Sequence, residues 1–481
     1  MNQLHHVSKE RNSMSQKNKA AILIVTLLLT GGLLAVGYFA FTQWQSQTAA
    51  DIRPSPSSPT ARDDARLREI SGGQQLLFSS TTSPAKQEGI DAIAAENYPR
   101  AVSKLEASLQ QNRNDPEALI YLNNARIGGG QSYTIAVSVP ISTAENTAQE
   151  ILRGVAQAQN EINQAGGING VNLRVVIADD ANNPSVAQQV AQSLVADDQV
   201  LGVVGHYSSD VTLAASQVYE QGQLVAISPT STSIELSKAG DFIFRTVPSD
   251  RFTANALTKY MVEYLGLKQA AIFYNKNSSY SRSLKDEFTT ALYGYGGAVV
   301  TEINLAEENF NSFDAVESAI QRGAEAIVLL ADTETVPRAL QVVRVNERKL
   351  PVLGGDSLYG PEVLEVGSDS EGMVVAIPWH ILSHTNSEFA GAATQLWGGD
   401  INWRTTMAYD ATKALIAGIS GDSSRRGVQR TLSEPGFSAK GGGGDIRFSS
   451  NSGDRNHNLQ LVKVEAGRRS RGLDYYFNPL P

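Results

Sequence analysis

Cysteine is absent from the 481 residues. That excludes disulfides, cysteine-ligated zinc, iron–sulfur clusters, a cysteine nucleophile and a lipid anchor carried on a cysteine. Long basic runs are missing as well. Lys and Arg number 40 against 49 Asp and Glu, a formal net charge of −9, and such a chain offers no basic surface to nucleic-acid phosphates. The serines lie outside any Gly-x-Ser-x-Gly elbow. His380 and His384 have the spacing of two zinc ligands, but no third ligand or Glu base accompanies them. The glycine run 441–444 lacks the Lys-Ser/Thr pair of a phosphate loop and reads as a turn. No enzyme, metal or cofactor is therefore expected.

What is present is a globular composition, 41% apolar and 19% charged, long enough for two or three folding units. From Ala20 to Phe41 nearly every residue is apolar, and the 22 positions span about 33 Å as a helix, enough for a ~30 Å hydrocarbon core. Lys9, Arg11, Lys17 and Lys19 against Glu10 make residues 1–19 a basic tail that stays cytoplasmic, so the rest faces outward. Thr48-Ala49-Ala50 would also serve a signal peptidase. The apolar run exceeds the ~7–15 residues usual for a cleaved signal, which favours an uncleaved anchor. Residues 42–83, with the Pro- and Ser-rich stretch 51–62, read as a linker.

Residues 84–127 carry helical periodicity through Ala92, Ala95, Tyr98, Ala101, Leu105 and Leu109. Asp115-Pro116 then starts a further helix. Gly89, Ala92, Tyr98, Ala101 and Pro116 resemble one tetratricopeptide repeat. A single such unit cannot bury its own apolar face, so the segment packs on the main domain, spaces it from the membrane or binds a partner.

From Tyr133 to Pro481 the pattern alternates strand and helix. Strands are expected at 133–139, 173–178, 201–204 and 224–227, and again at 270–274, 298–303, 326–330, 352–353 and 374–377. Between the first two of these, Ala148, Ile151, Val155, Ala158 and Ile162 mark one helix face. Short continuous apolar strands alternating with helices predict parallel sheets covered on both faces. The rhythm restarts once, so two lobes are expected, with ligand at the carboxyl ends of strands between them.

Several segments then occur in a telling order: Ile162-Asn163-Gln164-Ala165-Gly166-Gly167-Ile168-Asn169-Gly170, Asp179-Asp180, Gly205-His206-Tyr207-Ser208-Ser209, Ile227-Ser228-Pro229-Thr230-Ser231-Thr232, Phe244-Arg245-Thr246, Gly354-Gly355-Asp356, Ala408-Tyr409-Asp410-Ala411 and Gly444-Asp445-Ile446-Arg447-Phe448. Together they resemble the extracytoplasmic solute-binding proteins of branched-chain and other amino-acid ABC transporters, the type 1 periplasmic binding fold. The resemblance implies an α/β architecture of two Rossmann-like lobes with a cleft and three crossovers, near Val247, Pro378 and 441–448. Lobe 1 would hold about 133–247 and 379–440, lobe 2 about 248–378 and 441–481. It also implies an ABC permease as partner.

A free amino acid presents a carboxylate and an ammonium. Ser208-Ser209-Asp210 and Thr230-Ser231-Thr232-Ser233 both follow strands and precede helices, where hydroxyls and free N–H groups can hold an anion. Each alone also reads as an ordinary helix cap. The resemblance assigns hydroxyls of Ser209 and Thr232 and the backbone N–H of Thr230 to the carboxylate, Asp356 to the ammonium and Tyr280 to closure of the cleft. Gly354-Gly355-Asp356-Ser357 also permits a plain turn aspartate. Asp332 and Thr333 are further candidates, Ser208 accompanies Ser209, and Tyr207 places an aromatic beside the carboxylate site. The expected protein is a membrane-anchored receptor in the inner membrane with its main domain outside. The alternative is a regulatory or scaffolding protein of the cell envelope that reuses the fold, suggested by the helical segment and the tether.

Overall fold

The computed structural model describes residues 70–469 and 472–481. Residues 20–41, expected to span the membrane, lie outside these. Among the described residues no helix is long and apolar enough to cross one.

The first lobe starts with β1 (Ile70–Ser71) and three helices, α1 (Pro84–Ala94), α2 (Tyr98–Gln111) and α3 (Pro116–Ile127). It continues through β2 (Ser132–Val139), α4 (Glu145–Gln164), β3 (Asn172–Asp179), α5 (Pro184–Ala196), β4 (Val200–Val204), α6 (Ser209–Gln221), β5 (Ala226–Ser228) and β6 (Ile243–Arg245). Its sheet runs β1-β3-β2-β4-β5-β6, parallel except for β1. The last six residues of β2 are buried because helices cover both faces.

The second lobe holds α7 (Asp250–Lys259), β7 (Gln269–Tyr274), α8 (Ser279–Gly294), β8 (Ala298–Asn304), α9 (Ser312–Gln321), β9 (Ala326–Leu330), α10 (Val336–Asn346), β10 (Val352–Gly354) and β11 (Val374–Ile377). The chain returns to lobe 1 with α11 (Glu388–Trp397), α12 (Trp403–Gly421), α13 (Arg425–Ser433) and the hairpin β12 (Ala439–Gly441)–β13 (Gly444–Ile446). It finishes in lobe 2 with β14 (Gln460–Ala466) and β15 (Tyr475–Pro479), the antiparallel edge of the order β15-β14-β11-β10-β9-β7-β8. Helices α4 and α12 cross so closely that a Cβ on Gly154 would strike the backbone of Thr405 and Tyr409.

The third crossover lies later than 441–448. The Gly442 and Gly443 N–H groups donate to the buried Asp410 carboxylate of α12, Gly442 at 2.6 Å, and Arg455 donates to the same carboxylate at 2.6 Å. Asp454 bridges to Arg245 of β6. Residues 441–455 therefore belong with lobe 1, and the chain crosses at 456–459. The glycine run is the tip of a hairpin held by Asp410, not a hinge.

The stretch read as linker is structured from Ile70 onward: β1 pairs with β3, and Ser71 and Phe78 are buried. Eleven of the twelve residues of α3 are buried, so it behaves as a core helix and shows no polar face. Lys86 of α1 sits among Asp115 and Glu117 at 2.7 Å each, all buried, and Glu117 also accepts from Leu77 N–H at 2.7 Å. Asn124 works as a substitute strand. Its amide donates to Val175 O at 2.7 Å and Gly72 O at 2.9 Å, and its oxygen accepts from Val175 N–H at 3.1 Å and from Gln159 at 2.9 Å. This blunts the edge of β3 beyond β1. Replacing Asn124 by Ala leaves the Val175 groups unpaired, and such buried orphans cost about 1–3 kcal/mol each. A urea titration should show the midpoint fall; an unchanged midpoint would mean the helical segment docks without this clamp.

Candidate functional site

Two turns at the carboxyl ends of β4 and β5 form one wall of a cavity of about 300 Å³ between the lobes. His206 anchors the first turn: its Nδ1 meets Asp180 at 2.7 Å and its Nε2 meets Tyr219 Oη at 2.9 Å, all buried. The second turn is stitched to the first. Ser228 Oγ donates to His206 O at 2.8 Å, Thr230 Oγ1 to Tyr207 O at 2.7 Å, and Thr212 Oγ1 meets Ser231 Oγ at 2.7 Å.

This stitching decides which hydroxyls are free. Ser208 is the N-cap of α6 but its side chain makes no capping bond. Ser209 Oγ accepts from Ser233 N–H at 3.2 Å, which leaves its proton to donate elsewhere. Thr230 has spent its proton on Tyr207 O, so what it can offer an anion is its backbone N–H, now in a long 3.4 Å bond to Ser228 Oγ. Ser208, Ser209 and Thr230 line the cavity together with Asp210 and Val211 of the α6 first turn. A helix start flanked by two hydroxyls is chemically a carboxylate site. Thr232 is placed differently from expectation. It is 1% exposed and outside the cavity lining, with its hydroxyl turned to the buried Asp250 carboxyl.

The opposite wall comes from lobe 2. Asp356 follows β10 and Gly355, and Tyr280 Oη donates to its Oδ1 at 2.7 Å. A Cβ on Gly355 would collide with that tyrosine hydroxyl, so glycine there is required by close approach. Burial raises the Asp356 carboxyl above its usual range, against the pull of Tyr280 and of the Arg404 guanidinium. Ser281, in the Tyr280-Ser281-Arg282 turn, accepts from Asn275 N–H at 2.7 Å and donates to Leu330 O, tying the start of α8 to β9. Asp332 also reaches the cavity, but its oxygens are taken by Asn275 at 2.9 Å and Thr335 at 2.6 Å, as a cap for the α10 turn.

The lobes meet directly around the cavity. Tyr207 Oη and Thr333 Oγ1 are 2.8 Å apart, Ser279 N–H donates to both Asp210 oxygens at 3.1 Å, and Ile234 N–H donates to Ser283 Oγ at 3.0 Å. These bonds describe a shut cleft. His380 and His384 sit in packing: His380 caps the following turn, His384 stacks on Trp379 with centroids 5.2 Å apart, and burial lowers His380 to about 4. Among the described residues no group of three His, Asp or Glu could hold a metal.

Two residues of the site escape sequence reasoning. Asp250 opens α7 at the first crossover and is fully buried just outside the cavity lining, where its N–H donates to Thr232 O at 2.9 Å. Burial pushes it up to about 7; the Ser283 and Thr232 hydroxyls and Arg245 oppose this, and Asp356 adds to it. Its place at a crossover was the available signal. Arg404, 6% exposed, lines this cavity and an adjoining one of about 400 Å³. An arginine in a helix otherwise headed by Trp403, Thr405 and Thr406 was the signal there, because buried arginine is rare unless paired.

Two lobes on mainly parallel sheets, three crossovers and a polar cleft at strand ends define a bilobal binding-protein fold. The sequence pattern of the periplasmic binding protein family matches residues 132–469, and the chain belongs to that family. An amino acid binding protein of Pseudomonas aeruginosa is 35% identical over 182 residues, 37% of this chain and 48% of that protein. The same organism's leucine-, isoleucine-, valine-, threonine-, and alanine-binding protein is 28% identical over 229 residues, 47% of this chain and 60% of that protein. The matched part of the chain thus spans about half the length of the first relative. In fold, an ABC transporter substrate-binding protein from Desulfitobacterium hafniense in complex with Leu superposes with TM-score 0.62 at 24% identity, over 73% of this chain and all of that one. A Rhodopseudomonas palustris solute-binding protein in complex with 4-hydroxybenzoate gives 0.63 at 15% identity, over 73% of this chain and 96% of that one.

Proposed function

We propose that the protein is an extracytoplasmic receptor that closes around an amino acid or closely related solute and presents the closed form to an ABC-type permease. The observation that carries this is the opposition across one cavity of Ser208, Ser209 and the Thr230 backbone on lobe 1 to Asp356 and Tyr280 on lobe 2. Such a pair of walls matches the two ends of a zwitterion. A ligand touching both lobes favours the shut state by its differential affinity for it. Thr232 acts from behind the wall. Residues 20–41 hold the receptor at the inner membrane. The amino-acid binding proteins among its relatives support the reading.

The test is thermal unfolding of the full-length chain against the twenty amino acids, small amides and aromatic acids. A ligand at 100 times Kd adds about 2.7 kcal/mol of stability, a readable rise in midpoint. No shift with any of them would remove the receptor reading and favour a regulatory role.

A further inference from the structure

Asp210 is the second residue of α6, and both of its carboxylate oxygens are spent on the other lobe. Ser279 N–H, the first of α8, donates to each of them at 3.1 Å. Asp210 accepts nothing from its own helix, and no Lys, Arg or His among the described residues pairs with it. Helix α8 has its own cap in Ser278, whose Oγ accepts from Ser281 N–H at 3.4 Å. The Asp210 contact is therefore an addition that only the shut cleft supplies.

A helix start carries about half a positive charge and free N–H groups. Helix α6 has 13 residues and α8 has 16, so each presents a full positive end. Shutting the cleft brings these two ends toward each other, which is repulsive unless an anion stands between them. Asp210 is that anion: it is carried by α6 and held by α8. A hydrogen bond to an ionised acceptor is roughly twice as strong as one between neutral groups. The other cross-lobe bonds, Tyr207 to Thr333 and Ile234 to Ser283, are of the neutral kind. When the cleft opens, the same carboxylate returns to water and the start of α8 loses its partner.

We propose that Asp210 is an electrostatic latch, holding the starts of α6 and α8 together and keeping part of the population shut before any solute arrives. This goes beyond the receptor reading and does not depend on which solute binds. A pre-shut fraction reduces the closing cost that a solute must meet.

The test is the distance distribution between two spin labels on the full-length chain with no solute added. The chain has no cysteine, so Ser185→Cys and Glu308→Cys put one label on each lobe. Both positions are exposed and lie beyond the carboxyl ends of β3 and β8. That labelled background should show two populations, the one whose distance matches this structure being shut. Asp210→Ala should lower the shut-to-open ratio about tenfold, the worth of a hydrogen bond to a charged group. Asp210→Asn keeps an acceptor without the charge and should fall between. Ser279→Pro removes the donor from the other side. Proline suits the first helical position, and Ser278 before it is already extended at φ −99° and ψ 128°. It should open the cleft about as far as Asp210→Ala, and the double variant should open no further than either. Cooperative unfolding of each variant separates opening from loss of fold, and Ser279→Pro stands in should Asp210→Ala not fold. A background chain wholly open without solute would overturn the latch. So would a distribution that Asp210→Ala leaves unchanged or shifts toward the shut form. Equal populations in Asp210→Asn and the background chain would overturn the role of the charge. The solute panel judges the receptor reading separately: a failed latch leaves that reading standing, and a panel without binders leaves the latch.

Discussion

Replacing Asp356 by alanine should weaken amino-acid binding by about 100-fold or more and leave the unfolding midpoint of the ligand-free chain nearly unchanged. The two halves of that expectation have one cause. Asp356 is 6% exposed and its one side-chain partner is Tyr280, and burial raises its carboxyl. The empty protein therefore gains little from the charged form, and removing it costs the fold little. The bound state is different. A ligand ammonium enclosed in the cleft without its counter-charge is an uncompensated buried ion, which costs about 3–5 kcal/mol, and each 1.4 kcal/mol is about tenfold in affinity. Tyr280→Phe removes only the hydrogen bond that aims the carboxylate and should cost about 1 kcal/mol. Titration of both variants with the best ligand of the panel checks the ordering. Equal affinity in Asp356→Ala and wild type would take Asp356 out of the site.

Much of this geometry was legible because the elements that build it are local. Val200–Val204 and Ala326–Leu330 are short apolar runs with no polar alternation, which only a doubly covered sheet explains. Residues that come straight off such strands reach the cleft by topology alone, and Ser208, Ser209, Thr230 and Asp356 do so. Thr232 shows the limit of that argument. Two residues further along the turn from Thr230, it passes behind the wall, and no spacing rule distinguishes the two. The third crossover was misplaced because a glycine run looks the same as a hinge and as a hairpin tip. Only the Asp410–Arg455 pair, 45 positions apart, decides between them. Arg404 and Asp250 are defined by what surrounds them in three dimensions, and α3 hides its role because a helix buried on every side carries no amphipathic signature.

Affinity should rise steeply between pH 5 and pH 7 and level off above it. Asp250 is pushed up to about 7 from 3.8, first by burial and further by Asp356. Between those two values the folded chain binds a proton that the unfolded chain has lost, so the stability of the empty protein falls as pH rises from about 4 to about 7. Binding runs the other way. An ammonium held at Asp356 favours the charged form of that carboxyl, and its charge also acts on Asp250, buried behind the cavity wall, so binding favours loss of the proton from the pair. Each unit of pH below 7 then costs up to about tenfold in affinity, since one pKa unit is 1.36 kcal/mol, and two units approach 100-fold. Asp250 and Asp356 repel each other as anions, so the displaced proton belongs to the pair and the curve reports a macroscopic value. Asp250→Asn keeps the shape of the side chain and removes its titration. Its affinity should be lower at pH 7.5 and nearly flat down to pH 5, with calorimetric proton release on binding at pH 6 reduced in step. A wild-type affinity already flat across that range would mean that the ammonium sits beyond the reach of Asp250, and that Asp356 alone balances its charge.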